Sequence, residues 1–409
     1  WRRVRQQLPS RRLPSVAEAV REQLARPEVD ATIRPGLRVA IGVGSRGIGC
    51  LQEVVAALVA ELRQRGAEPF IVPAMGSHGG GTALGQRGVL EAYGITEEAF
   101  GAPVRASMEV DQLGTVLDGV PVYLDRIAHR EADLVVPVGR VKPHTSFRYD
   151  LESGLHKMLA IGLAKHRGAS NVHTYPWERF GELIEASGQF VLAHASVPFG
   201  VAIVEDAYEA PAIIEAVPAA DFLARERELL ALAKAWLPRL PFPAADVLVV
   251  QELGKDISGS GMDPNVTGRF QMASMPKPVQ LQWIAVLDLT VATHGNATGL
   301  GFADVTTRRV LEKLDVVATY TNHVTSQSLI GAKLPLVAET DQEAIAIAAS
   351  ALRRTPPERA RIAWVKNTLE LLDLRVSEPL WAEMAAQEDV VATGEPEPIR
   401  FDAAGTLTV

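Results

Sequence analysis

Cysteine is nearly absent: the 409-residue chain has one, Cys50. A lone thiol closes no internal disulfide and supplies no Cys-rich metal cluster. Long apolar runs are missing as well, and no stretch approaches the ~18 consecutive apolar residues that a membrane-spanning helix needs. Behind the basic start, Trp1-Arg2-Arg3, there is no apolar segment of the signal-peptide kind. Trp1 stands where a Met would begin a chain, so a few residues are expected ahead of it. Blocks of like charge are also missing. With a net charge of −8 and no basic run, nucleic acid and anionic membrane surfaces are not expected as partners. These absences together predict a cytoplasmic protein. What the chain does have is 47% hydrophobic and 22% charged residues. That is the balance of a folded protein able to bury a sizeable core.

The patterning predicts an α/β fold. Leu37–Gly44 (LRVAIGVG) is a short β-branched run ending in glycine, and Pro69–Pro73, Ala132–Val138 and Phe199–Val204 are similar. Between the first two, Leu51, Val54, Val55, Leu58, Val59 and Leu62 recur at helical spacing and stop at Gly66. Strand, helix, strand at this rhythm implies a mostly parallel sheet. A helix over Ala219–Trp236 then runs into three prolines in Leu-Pro-Arg-Leu-Pro-Phe-Pro, which marks a domain boundary. The pattern restarts beyond it with strands Asp246–Gln251 and Trp283–Leu289, helices around Thr306–Leu314 and Gln342–Leu352, and a strand over Arg361–Lys366. The expected organisation is an α/β domain over 1–240, a second over 241–355, and an extension, 356–409, packing back on the first. Both domains are expected to hold mostly parallel sheets, with the site in the cleft between them.

Three loops after predicted strands gather the polar chemistry. The first, Gly42-Val43-Gly44-Ser45-Arg46-Gly47, matches the dinucleotide pattern G-x-G-x-x-G between a strand and a helix. The next strand ends in Pro73-Ala74-Met75, with no acid to hold a ribose, so the same turn can also be an ordinary tight connection or present Ser45 and Arg46 to an anion. The second loop sets His78 among four glycines, Met75-Gly76-Ser77-His78-Gly79-Gly80-Gly81. The third follows Ala132–Val138 and packs Arg140, Lys142, His144, Arg148, His156 and Lys157 into a short stretch, with His173 beyond it. Histidine exchanges protons near neutral pH and ligates metals. A partly desolvated lysine can form covalent bonds. His78 and His144 could therefore serve as an acid/base pair. No H-x-x-x-H or H-E-x-x-H spacing occurs, which disfavours a conventional zinc site. In the second half, Gln251–Asn265 is a Gly/Ser/Asp-rich loop that could bind a phosphate or substrate, and Thr321–Ser326 is a weaker candidate. Trp177, Trp236, Trp283 and Trp364 read as core.

His78 in its glycine loop, Pro143-His144, Ser153-Gly154-x-x-Lys157 and Asn171-x-His173 resemble the ordered signature of the nickel-pincer-nucleotide-dependent lactate racemase family. The resemblance covers about residues 40–175. It implies that Lys157 tethers a thiolated pyridinium mononucleotide holding nickel, and that His173 completes the metal's coordination. His78 and His144 would then be alternate base and acid on a substrate hydroxyl, while Arg46 holds the substrate carboxylate and Ser45 and Gly47 line the cofactor. The implied reaction moves a hydride from a 2-hydroxy acid to the cofactor and back to either face. Enzymes that synthesise the cofactor would be transient partners. The family usually has Arg-Pro where this chain has Gly79-Gly80, and the interval from His144 to Lys157 is longer here, which points to a 2-hydroxy acid other than lactate. Two other readings of the residues stand beside this one: an NAD-dependent oxidoreductase, favoured by the glycine fingerprint, and a non-catalytic two-lobed small-molecule-binding protein.

Overall fold

In the computed structural model, residues 1–44, 47–272 and 274–408 are described. They divide into two compact units, Ser10–Leu237 and a second made of Trp1–Pro9 with Pro238–Val409. The chain starts with β1 (Arg2–Gln6), a strand of the second unit, and then builds the first.

The first unit is an α/β layer around a five-stranded sheet. Its strands are β2 (Arg38–Val43), β3 (Glu68–Pro73), β6 (Leu134–Arg140), β7 (Phe199–Glu205) and β8 (Pro211–Pro218), and a separate hairpin is made by β4 (Val110–Val116) and β5 (Val120–Asp125). The order is β3-β2-β6-β7-β8, parallel throughout except for β8 against β7. Alternation along each strand divides the core in two. Val39, Ile41 and Val43 face the helices Val16–Leu24 and Leu51–Gln64. Ala40, Val72, Val135, Ala202 and Val204 face Leu155, Leu159, Leu163 and the helix Phe222–Trp236. A sheet covered on both faces explains the near-continuous apolar strands.

The second unit holds an eight-stranded mixed sheet. It contains β9 (Ala244–Leu253), β10 (Gln280–Leu289), β11 (Val305–Thr307), β12 (Leu336–Ala338), β13 (Ile362–Val365), β14 (Asp373–Val376) and β15 (Val390–Ala392) together with β1. The order is β12-β11-β10-β9-β13-β14-β1-β15. β9 to β13 are parallel neighbours, whereas β13–β14, β14–β1 and β1–β15 are antiparallel.

This strand order corrects the expected domains. Residues 356–409 do not form an extension on the first unit: β13 pairs with β9, and β14 and β15 flank β1 in the second unit's sheet. Residues 1–9 leave the first unit for the same reason. The boundary expected at 240 falls at Leu237/Pro238, where the proline cluster breaks the helix. Among the described residues, no helix is long and apolar enough to cross a membrane.

Candidate functional site

The candidate site residues lie in the first unit, where parallel β2, β3 and β6 end and their loops emerge, the edge at which open α/β sheets commonly bind ligands. One helical stretch organises it. Leu155–Lys157 is a helical turn, Met158–Gly162 continues it as a turn of π-helix, and Lys165–Val172 completes it up to His173. Single π turns inside helices recur at functional sites. This one follows Lys157 directly.

Close backbone approaches bring the loops to that stretch. A Cβ on Gly44 would meet the Met158 Sδ at 3.6 Å and one on Gly139 the Met158 Cγ at 2.8 Å, so Met158 is seated between the ends of β2 and β6. Gly42 faces Leu163 at 3.5 Å. Gly42 and Gly44 of the first loop thus admit the protein's own helix, which explains these two without a dinucleotide. The His78 loop packs alongside: the Gly76 N–H donates to the Gly162 carbonyl at 3.1 Å, and Gly76 and Gly81 lie against Ile161, Ala169 and His166. Gln86, fully buried, holds the loop's shape by donating to the carbonyls of Gly76 and His78 at 2.9 and 3.3 Å.

His144 is held from several sides. Its backbone N–H donates to the buried Glu152 carboxylate at 2.7 Å, its carbonyl accepts from Arg148 at 2.7 Å, and its Nδ1 accepts from the Ser146 N–H at 3.1 Å. Glu152 also takes Lys234 at 2.6 Å and Arg148 at 3.3 Å. A path of ring contacts then leads from His144 to His173. His144 lies 4.4 Å from Phe147, Phe147 5.8 Å from Phe180, and Phe180 5.3 Å from His173. Trp177, expected in the core, is half-buried instead and stands edge-on to His173 at 5.7 Å.

His173 is strongly perturbed. Burial, helped by the positive charge of Lys157, pushes its imidazole down to about 4, so it is neutral at physiological pH. Its Nδ1 is buried without a hydrogen-bond partner. An orphaned, neutral imidazole nitrogen beside a lysine is what a metal-ligating histidine offers before the metal arrives. The chain's own His/Cys/Asp/Glu side chains form no group of three able to hold a metal among the described residues.

Lys157 is set by the residue before it. His156 is fully buried, with Nδ1 at 2.6 Å from Glu226 and Nε2 at 2.9 Å from Gln189. Glu226 also accepts the His156 N–H at 3.1 Å. Gly154 is needed just ahead, because its φ of 152° and a Cβ at 2.0 Å from the Glu226 Oε1 exclude any side chain. On the far side of the π turn, buried Lys165 pairs with Asp125 at 2.8 Å and donates to the Pro73 carbonyl. Burial lowers the pKa of Lys165, and the Asp125 charge opposes that shift.

Of the predicted site residues, His78, His144, Lys157 and His173 are all half-buried and belong to loops or turns packed on one helical stretch. Gly47 is exposed, and its carbonyl accepts from Arg140 at 2.8 Å. Arg140 also pairs with Glu205, so it secures the first loop. Ser45 and Arg46 lie outside the described residues. Glu152, Gln189, Glu226 and the Asp125–Lys165 pair were not singled out by sequence reasoning, because an acid's burial and its partners are set by distant segments. In the second unit, the loop after β9 and the helix Val316–Thr325 meet through Lys255 and Asn322, joining the two weaker sequence candidates.

Residues 6–179 match the lactate racemase N-terminal domain family. Among solved structures, the lactate racemase apoprotein from Thermoanaerobacterium thermosaccharolyticum is similar at a TM-score of 0.54 and 15% identity, over 89% of this chain and 95% of that one. At that identity the likeness is one of fold. No curated protein matches the chain significantly.

Proposed function

For a lactate racemase-like chain, with the lactate racemase N-terminal domain on residues 6–179, we propose a racemase or epimerase of a 2-hydroxy acid that works with a lysine-tethered nickel-pincer nucleotide. The observation that carries this reading is the convergence of the His78 and His144 loops, Lys157 and His173 on residues 155–173. The residues fit such a group. Lys157 offers an amine for the covalent link, and His173 offers a neutral nitrogen that has no hydrogen-bond partner among the described residues. When bound, the cofactor supplies the hydride acceptor that amino-acid side chains lack.

The chain's own residues do the rest. His78 and His144 exchange the proton of the substrate hydroxyl, one for each orientation of the hydroxyl. Each sits in a loop after a parallel strand, so both can reach one substrate. Arg46 is proposed to hold the carboxylate common to both enantiomers, with Ser45 and Gly47 beside the cofactor. The buried Phe147, Leu155 and Leu159 limit water around the helical stretch. Peptide mapping of protein produced together with cofactor-synthesis enzymes tests the reading. An adduct on Lys157 that disappears in Lys157→Ala is expected. An adduct elsewhere, or tight NAD binding with no adduct, overturns it.

A further inference from the structure

Two histidines that share one reaction need not enter it in the same protonation state. At His144 the structure fixes which nitrogen bears the proton. The Ser146 backbone N–H points at Nδ1 from 3.1 Å. A backbone amide can only donate, so Nδ1 must accept, and a neutral ring then carries its hydrogen on Nε2. The surroundings make this ring orientation hard to reverse. The backbone of His144 is pinned on both sides by Glu152 and Arg148, and one ring face lies on Phe147.

We infer that His144 rests as a neutral hydrogen-bond donor with its proton on Nε2, positioned by the Ser146 amide, so that the two histidines of the site are not interchangeable. The inference rests on the proposed function for its catalytic meaning. A neutral imidazole held in this way can polarise a carbonyl oxygen. It cannot take up a hydroxyl proton at Nε2 unless its own hydrogen first moves to Nδ1, and it cannot become an imidazolium unless Nδ1 gains a proton. Either change breaks the Ser146 hydrogen bond. The first O–H proton therefore goes to His78, and oxidation to the 2-keto acid starts faster from the enantiomer whose hydroxyl faces it.

The test is nitrogen NMR of protein labelled with ¹⁵N-histidine, the His144 signals being assigned by their loss in His144→Gln. At neutral pH, His144 should show an unprotonated Nδ1 and a protonated Nε2. Ser146→Ala, which keeps the amide, should leave this pattern intact, and Ser146→Pro, which removes the donor, should abolish it. If the wild-type ring carries its proton on Nδ1, or on both nitrogens, the inference is overturned whatever the enzyme does. Single turnovers of cofactor-loaded protein with D- and L-2-hydroxybutyrate and D- and L-lactate then read the consequence: keto acid should form at least tenfold faster from one enantiomer. Equal rates overturn the asymmetry. A protein with the expected tautomer that oxidises none of these acids instead counts against the proposed function, and leaves the assignment of the His144 proton standing.

Discussion

Four side chains carry the proposed chemistry, and each can be removed singly. His173→Ala should lose nickel while retaining the organic part of the cofactor on Lys157. Metal analysis beside intact mass checks this, and nickel content unchanged in the variant defeats the assignment. A positioned acid or base contributes typically ~10²–10⁴-fold, so His78→Ala and His144→Ala should each lose that much racemisation in both directions. Their single turnovers should differ: keto acid should still form from opposite enantiomers, quickly in His144→Ala, which keeps His78, and at least tenfold more slowly in His78→Ala, which keeps only His144. If both variants lose the same enantiomer, the division of labour is wrong. As candidates, His78 and His144 stood out in the sequence through their glycine and proline neighbours, and Lys157 and His173 through the family resemblance. Their supports did not. Glu152 and Glu226 look like surface acids in the sequence, and only the fold buries them, against Lys234 and His144 in one case and His156 in the other.

Among the elements, the sequence located the strands of the parallel layers well, because a strand covered on both faces is apolar along its length. β2, β3, β6, β7, β9 and β10 all lie within a few residues of their expected bounds. The β4–β5 hairpin went unseen. Val110–Val116 reads VDQLGTV, and only its first residue is buried, so its hydrophobic signal is weak. Charge adds to the packing of Val110, Leu113 and Val116. Asp111 on β4 takes Arg130 at 2.7 Å, His129 at 2.9 Å and Arg126 at 3.3 Å, all from the helix that follows β5. The Arg130 guanidinium, first among these partners, holds the Asp111 carboxyl far below the usual carboxylate range. A depressed carboxylate contributes stability above its unfolded pKa and loses it as the pH falls. Asp111→Asn should therefore destabilise the protein at pH 7. In urea titrations its deficit against wild type should shrink steadily below about pH 4. A deficit that does not change with pH would mean that the carboxylate's charge is not what holds the hairpin.

At the scale of the molecule, the α/β class and the proline-marked boundary were readable, but the assignment of the two chain ends was not. β1 is Arg-Arg-Val-Arg-Gln, with one apolar residue in five. Nothing local says that it belongs between β14 and β15, more than 360 residues away. Long-range pairing of a polar strand leaves almost no trace in sequence. Its role can be measured. Deleting residues 1–9 should strip amide-exchange protection from β14 and β15 while leaving β2 and β6 protected. Uniform loss across both units would show that the strand supports the whole chain.

That same strand fixes an order of events during synthesis. β1 leaves the ribosome before the other described strands, yet both neighbours it needs are made more than 360 residues later. Residues 10–237 include every strand of their own sheet and can close around it while β1 still waits, unpaired and rich in arginine. A growing chain thus completes the half bearing the proposed tethering lysine first. The other half can knit its eight strands together only once β14 and β15 have followed.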